Sequence, residues 1–63
     1  MRDTYAIYFT WKNDGMEDSF NVRDAKERDM NIKDMLKRGE HKDIRWCRIY
    51  ASGEYGKMKE VQA

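Results

Sequence analysis

Large apolar residues alternate with smaller or polar ones along Tyr5-Ala6-Ile7-Tyr8-Phe9-Thr10-Trp11, and the alternation resumes at Ser19-Phe20-Asn21-Val22 after Asn13-Asp14-Gly15. A period of two on both sides of an Asp-Gly pair predicts an antiparallel hairpin with one buried face. With Asp14-Gly15 as a two-residue loop, Phe9 faces Phe20, Ile7 faces Val22, Trp11 faces Asp18, and Lys12 stands opposite Glu17 as a complementary pair. A three-residue loop sets Phe9 against Ser19 instead, so the apolar matches favour the tight turn.

From Asp24 to Arg38 the spacing becomes helical. Asp24 with Glu27 three residues on resembles a capping pair, and the basic end Lys37-Arg38 is followed by Gly39, a common helix stop. Asp24 before Arg28, Asp29 before Lys33 and Asp34 before Arg38 are acid-first pairs four residues apart, each contributing ~0.2–0.5 kcal/mol on an exposed helix. Ala25, Ile32, Met35 and Leu36 form the stripe that docks on a sheet. Arg28 falls inside that stripe and Met30 outside it, so a break near Asn31, which would cap a shorter second segment, is the alternative to one continuous helix.

The remainder predicts a second hairpin: Ile44 to Ala51, a turn at Ser52-Gly53, and Tyr55 to Val61. The expected fold is therefore α+β, a small antiparallel four-stranded sheet with one helix across one face in the order ββαββ, forming a single domain over residues 1–63. A single helix leaves the other sheet face wet.

In the third strand, small or aliphatic Cys47, Ile49 and Ala51 suit the space beneath a helix, which sends Trp46, Arg48 and Tyr50 to the open face. With Ser52-Gly53 as the turn, Tyr50 stands opposite Tyr55, Arg48 opposite Lys57 and Trp46 opposite Lys59, while Cys47 meets Met58 inside. Tyr8 shares the outer side. The candidate partner-binding residues are therefore Tyr8, Trp46, Arg48, Tyr50, Tyr55, Lys57 and Lys59. Clustered aromatics and directly opposed like charges are unusual on idle surface. Tyr, Trp and Arg are enriched at interface hot spots, and rings between bases also suit single-stranded nucleic acid. The plain alternative is that Trp46 and Tyr50 cover a thin core while the basic chains extend into water.

Composition narrows the function classes. A chain of 63 residues hides only about 60% of the surface its unfolded form exposes, so its stability is thin. Thirteen Lys and Arg against twelve Asp and Glu leave a net charge of +1, neither a polyanion mimic nor a strongly basic nucleic-acid binder. The balance runs −2 over residues 1–22, +1 over 23–43 and +2 over 44–63, so any basic surface belongs to the last third. One cysteine cannot staple the fold, and no apolar run approaches the ~20 residues of a membrane span or a signal core. A reducing, cytoplasmic setting without a membrane partner is expected.

No catalytic constellation is present: nothing assembles a nucleophile, its base and an oxyanion site. His41 and Cys47 are single examples of their types, whereas zinc sites gather four ligands, so no metal and no cofactor is expected. His41 is read as solvated in a polar connector after the helix, and Cys47 as a buried structural thiol. Ser52-Gly53-Glu54-Tyr55-Gly56-Lys57 matches neither the spacing nor the context of a phosphate loop, and Gly56-Lys57 lacks the alternating aromatics of an RNA-recognition strand.

What remains is surface recognition, since a domain this small cannot enclose a deep pocket. The expected function is a non-enzymatic accessory or inhibitor domain docking on a larger protein through the aromatic and basic face or a free strand edge. Its size and element order resemble small accessory proteins of bacteriophages and mobile elements, with no motif that names a family. The second reading is a single-stranded nucleic-acid or RNA-binding module using Trp46, Tyr50, Tyr55 and Tyr8 for stacking and Arg48, Lys57 and Lys59 for phosphates. Two open sheet edges allow a weak symmetric homodimer; a monomer is expected.

Overall fold

The computed structural model describes residues 2–61, which form four antiparallel strands in one sheet and one helix, an α+β fold in the expected order. The elements are β1 (Thr4–Trp11), β2 (Glu17–Val22), α1 (Ala25–Arg38), β3 (His41–Ile49) and β4 (Lys59–Glu60). In space the strands run β2-β1-β3-β4. Because β2 and β3 are both antiparallel to β1 on its two sides, they are parallel to each other, and the chain must cross the sheet between them. Helix α1 is that crossing. No helix among the described residues is long and apolar enough to span a membrane.

Ile7 and Phe9 of β1, Val22 of β2, Ile44 of β3 and Ile32 and Met35 of α1 form the core, with Tyr5, Trp11, Phe20, Trp46 and Val61 packed around it. The helix begins and ends where its sequence signals stand. Asp24 accepts a hydrogen bond from the Glu27 N–H at 2.8 Å, and Gly39, at φ 70°, donates its N–H to the Met35 carbonyl at 3.2 Å. It runs unbroken through Asn31, whose side-chain amide donates to the Glu27 carbonyl at 2.7 Å. Of the three anticipated acid-first pairs only Asp34–Arg38 forms, at 2.9 Å; Arg28 instead turns to its neighbour Asp29. Leu36 points outward rather than into the docking stripe.

The first hairpin differs in register from the sequence expectation. Ile7 pairs with Phe20 and Phe9 with Asp18, two residues from the anticipated alignment. Trp11 N–H donates to the Met16 carbonyl and Gly15 N–H to the Trp11 carbonyl, closing a four-residue loop over Lys12 to Gly15. The reason is backbone chemistry: the two-residue turn needs positive φ at both central positions, and here only Gly15 has it, at 72°. Asp14 instead accepts from the Met16 N–H at 2.9 Å, an Asx turn. An even slip preserves every face, so Phe9 and Phe20 still meet edge-on across the diagonal, with centroids 6.1 Å apart.

β3 starts three residues earlier than anticipated, at His41, because a bulge lies between the Tyr8–Arg45 and Thr10–Lys42 pairs. Asp43 adopts φ 52° there, the left-handed conformation that a bulge of this kind requires. The extra residue places His41 on the same side as Ile44. His41 is therefore not solvated: its ring packs against Phe9 and Trp11 with centroids 4.8 and 4.7 Å away.

Candidate partner-binding groove

The face that β3 presents is the main correction to the sequence reading. Ile7 lies directly opposite Trp46 and Ala6 directly opposite Cys47, and residues directly opposite each other share a face. Since Ile7 and Phe9 belong to the core beneath α1, Trp46 is drawn to that side and Cys47 to the other. Trp46 is half-buried against the core, and its ring meets Tyr5 edge-on at 5.7 Å. Cys47 is only 1% exposed although no helix covers it, because it sits on the inner strand pair among neighbouring side chains.

The second turn moves Tyr55. Tyr50 N–H donates to the Glu54 carbonyl and Gly53 N–H to the Tyr50 carbonyl, both at 2.8 Å, so the loop has three residues, with Gly53 at φ 93°. Tyr55 therefore bridges Ile49 rather than Tyr50, on the face away from α1. Further along, Trp46 pairs with Lys59 as anticipated. The two registers differ by one residue, so the intervening chain from Gly56 to Met58 bulges, and β4 shortens to two residues.

The outcome is a groove on the helix side, beside the N-terminal end of α1, with a volume of about 470 Å³. Trp46, Arg48, Tyr50, Lys57 and Lys59 line it, together with Tyr5, Arg28 and Gly56. Five of the seven residues singled out from the sequence are thus brought together, while Tyr8 and Tyr55 lie on the opposite face. Gly56 lets Tyr50 approach closely: a methyl group there would stand 3.4 Å from the tyrosine ring and 3.3 Å from the Arg48 carbonyl.

Charges in the groove are ordered rather than splayed. The Arg28 guanidinium sits over Trp46 at 4.1 Å and over Tyr5 at 4.7 Å, with its side chain only 16% exposed. Arg48 does not face Lys57 as an uncompensated like charge: Asp3 accepts from its Nη2 at 2.7 Å and from the Ala51 N–H at 2.8 Å. Lys59 lies 5.5 Å from the Trp46 centroid. Lys57 and Lys59 have no carboxylate partner within ion-pair distance among the described residues. Four cations against the two bonded carboxylates Asp3 and Asp29 leave +2 around the groove, in a molecule of net charge +1.

No protein-family model, curated protein or solved structure matches this chain.

Sequence reasoning missed Arg28 and Tyr5. Arg28 stood out as a charge inside an apolar stripe, and its rings explain the position: a guanidinium is weakly hydrated and covers aromatic faces. Tyr5 shares the alternation of Ile7 and Phe9 and so was bound to the same side. On the opposite face, Arg45 reaches Glu17 at 3.3 Å and the Asp43 carbonyl at 2.7 Å, and lies over Tyr8 at 5.9 Å. Burial, followed by the Cys47 sulfur beside it, pushes the Tyr8 phenol above its ordinary value; Tyr55 acts in the same direction and Arg45 against it. Among the described residues no group of three or more His, Cys, Asp or Glu is placed to hold a metal ion.

Proposed function

We propose that this protein is a small non-enzymatic binding domain that acts by contact with a larger protein, through the groove between the N-terminal end of α1 and the β3–β4 hairpin. The observation that carries this reading is the convergence of Trp46, Arg48, Tyr50, Lys57 and Lys59, with Tyr5 and Arg28, on a single open concavity. Aromatic and arginine anchors surrounded by flexible charge are the composition of interface hot spots. Tyr50, 43% exposed with the Arg48 guanidinium 5.4 Å from its ring centroid, offers the apolar contact, and the two lysines are the charges without a carboxylate partner among the described residues.

The nucleic-acid reading is the weaker one on this geometry. Stacking on single-stranded bases needs open ring faces, and Trp46 is covered by Arg28 at 4.1 Å with Lys59 nearby. Tyr8 and Tyr55, the other platforms proposed from sequence, are across the sheet. The buried, unpaired Cys47 supports a reducing, cytoplasmic setting for the domain.

Affinity capture from lysate with wild type, a Tyr50→Ala, Lys57→Glu variant and a Tyr55→Ala variant tests the proposal. A protein partner lost only with the groove variant is the expected result. Equal capture by all three proteins would remove the groove from the function.

A further inference from the structure

We infer that the groove takes an extended acidic segment of a partner protein, one that places an aromatic or aliphatic side chain against Tyr50 and carboxylates against Arg28, Lys57 and Lys59. This inference rests on reading the groove as a protein-contact site and adds the chemistry of what enters it. Charge complementarity favours an acidic occupant: the groove sums to +2 in a chain of net charge +1, so the rest of the molecule sums to −1.

The state of each cation favours the same occupant. A guanidinium packed against aromatic rings still has N–H groups to give to oxygen acceptors. Asp29 takes Nε and Nη2 of Arg28 at 3.0 and 2.9 Å, while Nη1 has no protein partner among the described residues. Arg28 is thus held over two rings with one end of its fork unfilled, a pre-ordered carboxylate receptor that loses little freedom on binding. Arg48 shows the same chemistry already satisfied: Asp3 is gripped by its Nη2 and by a backbone N–H. That pair is an internal example of how this groove wall holds a carboxylate.

A phosphate strand fits this groove poorly. A polyanion needs charge along a track and free rings for its bases. Here the cations surround one concavity, and even Tyr50, 43% exposed, has the Arg48 guanidinium 5.4 Å from its ring centroid.

The test is fluorescence anisotropy with three labelled probes: a short peptide of aspartate and glutamate around one central phenylalanine, its asparagine and glutamine isostere, and an oligothymidylate of similar length. The acidic peptide should bind, weaken with added salt, and lose about ten-fold or more in affinity with the Lys57→Glu, Lys59→Glu variant, since each lost ion pair becomes a repulsion. Tyr55→Ala on the opposite face should leave its affinity unchanged. Circular dichroism confirms that each variant is folded. Equal binding of the isostere, still lost with Tyr50→Ala, would overturn the acidic class while the protein-contact groove survives. Tighter binding of the oligothymidylate would overturn both in favour of a phosphate ligand, and no binding of any probe would overturn the acidic segment. The hairpin tip from Asp14 to Asp18 carries the same acid and apolar pattern, with Met16 63% exposed. Sedimentation showing self-association that Met16→Ala abolishes would give the groove to a second copy and overturn the inference.

Discussion

Asp43 illustrates how one residue can steer the sheet. At φ 52° it occupies a backbone region where β-branched residues are strained, and its bulge is what brings His41 onto Phe9 and Trp11. Asp43→Val should cost about 1–3 kcal/mol, whereas Asp43→Gly should be neutral or stabilising, as measured by urea denaturation. Tyr8 links stability to alkaline pH. Burial first, and the adjacent Cys47 second, push its phenol above the ordinary tyrosine value of 10.0. Below pH 10 both folded and unfolded chains keep the proton and the stability is fully present. As pH rises from 10 through the folded value, the unfolded chain loses its proton first and stability falls. Phenolate absorbance should show one tyrosine titrating late, and Tyr8→Phe should remove both that step and its share of the alkaline loss of stability.

At the scale of the element, α1 is fixed locally by its caps and globally by very few residues. Asp24→Ala removes the acceptor of the Glu27 N–H and should cost about 1 kcal/mol. Arg28 replaces an apolar residue on the docking face by lying over Trp46 and Tyr5, an arrangement worth roughly 1–2 kcal/mol when mostly desolvated. Arg28→Ala should therefore destabilise the domain by that order and red-shift the emission of Trp46, because the indole loses its cover. A lysine at the same position should restore only part of the stability, since it lacks the planar fork. The element order, both helix caps and the two hairpins were legible in the sequence because each depends on residues a few positions apart. The hairpin registers were not, because Asp-Gly and Ser-Gly suit loops of several lengths and the backbone chose four and three residues.

For the whole molecule, the balance is between a thin core and a surface rich in charge. A domain of 63 residues is expected to be stable by roughly 3–9 kcal/mol. Ile7 is fully buried between β2, β3 and α1, and Ile7→Ala should remove about 2–5 kcal/mol, enough to leave much of the protein unfolded at room temperature by circular dichroism. The Lys57→Glu, Lys59→Glu variant changes exposed side chains only and should keep its denaturation midpoint within the ~0.5 kcal/mol typical of surface substitutions. Loss of binding in that protein therefore reports the groove rather than the fold.

The chain by itself determined the order of strands and helix, both ends of the helix, which residues of a strand share a face by period, and that aromatic and basic groups of the last third would gather. Tertiary structure alone decided which way β3 faces. Alternation divides Trp46, Arg48 and Tyr50 from Cys47 and Ile49 but carries no sign, and both sets contain residues fit for burial. The sign came from β1: Ile7 and Phe9 must lie beneath the helix, Ile7 pairs with Trp46, and Arg28 closes over the indole. The same rings that sequence placed on an open face thereby became the floor of a groove, while Tyr8 and Tyr55 went to the other side.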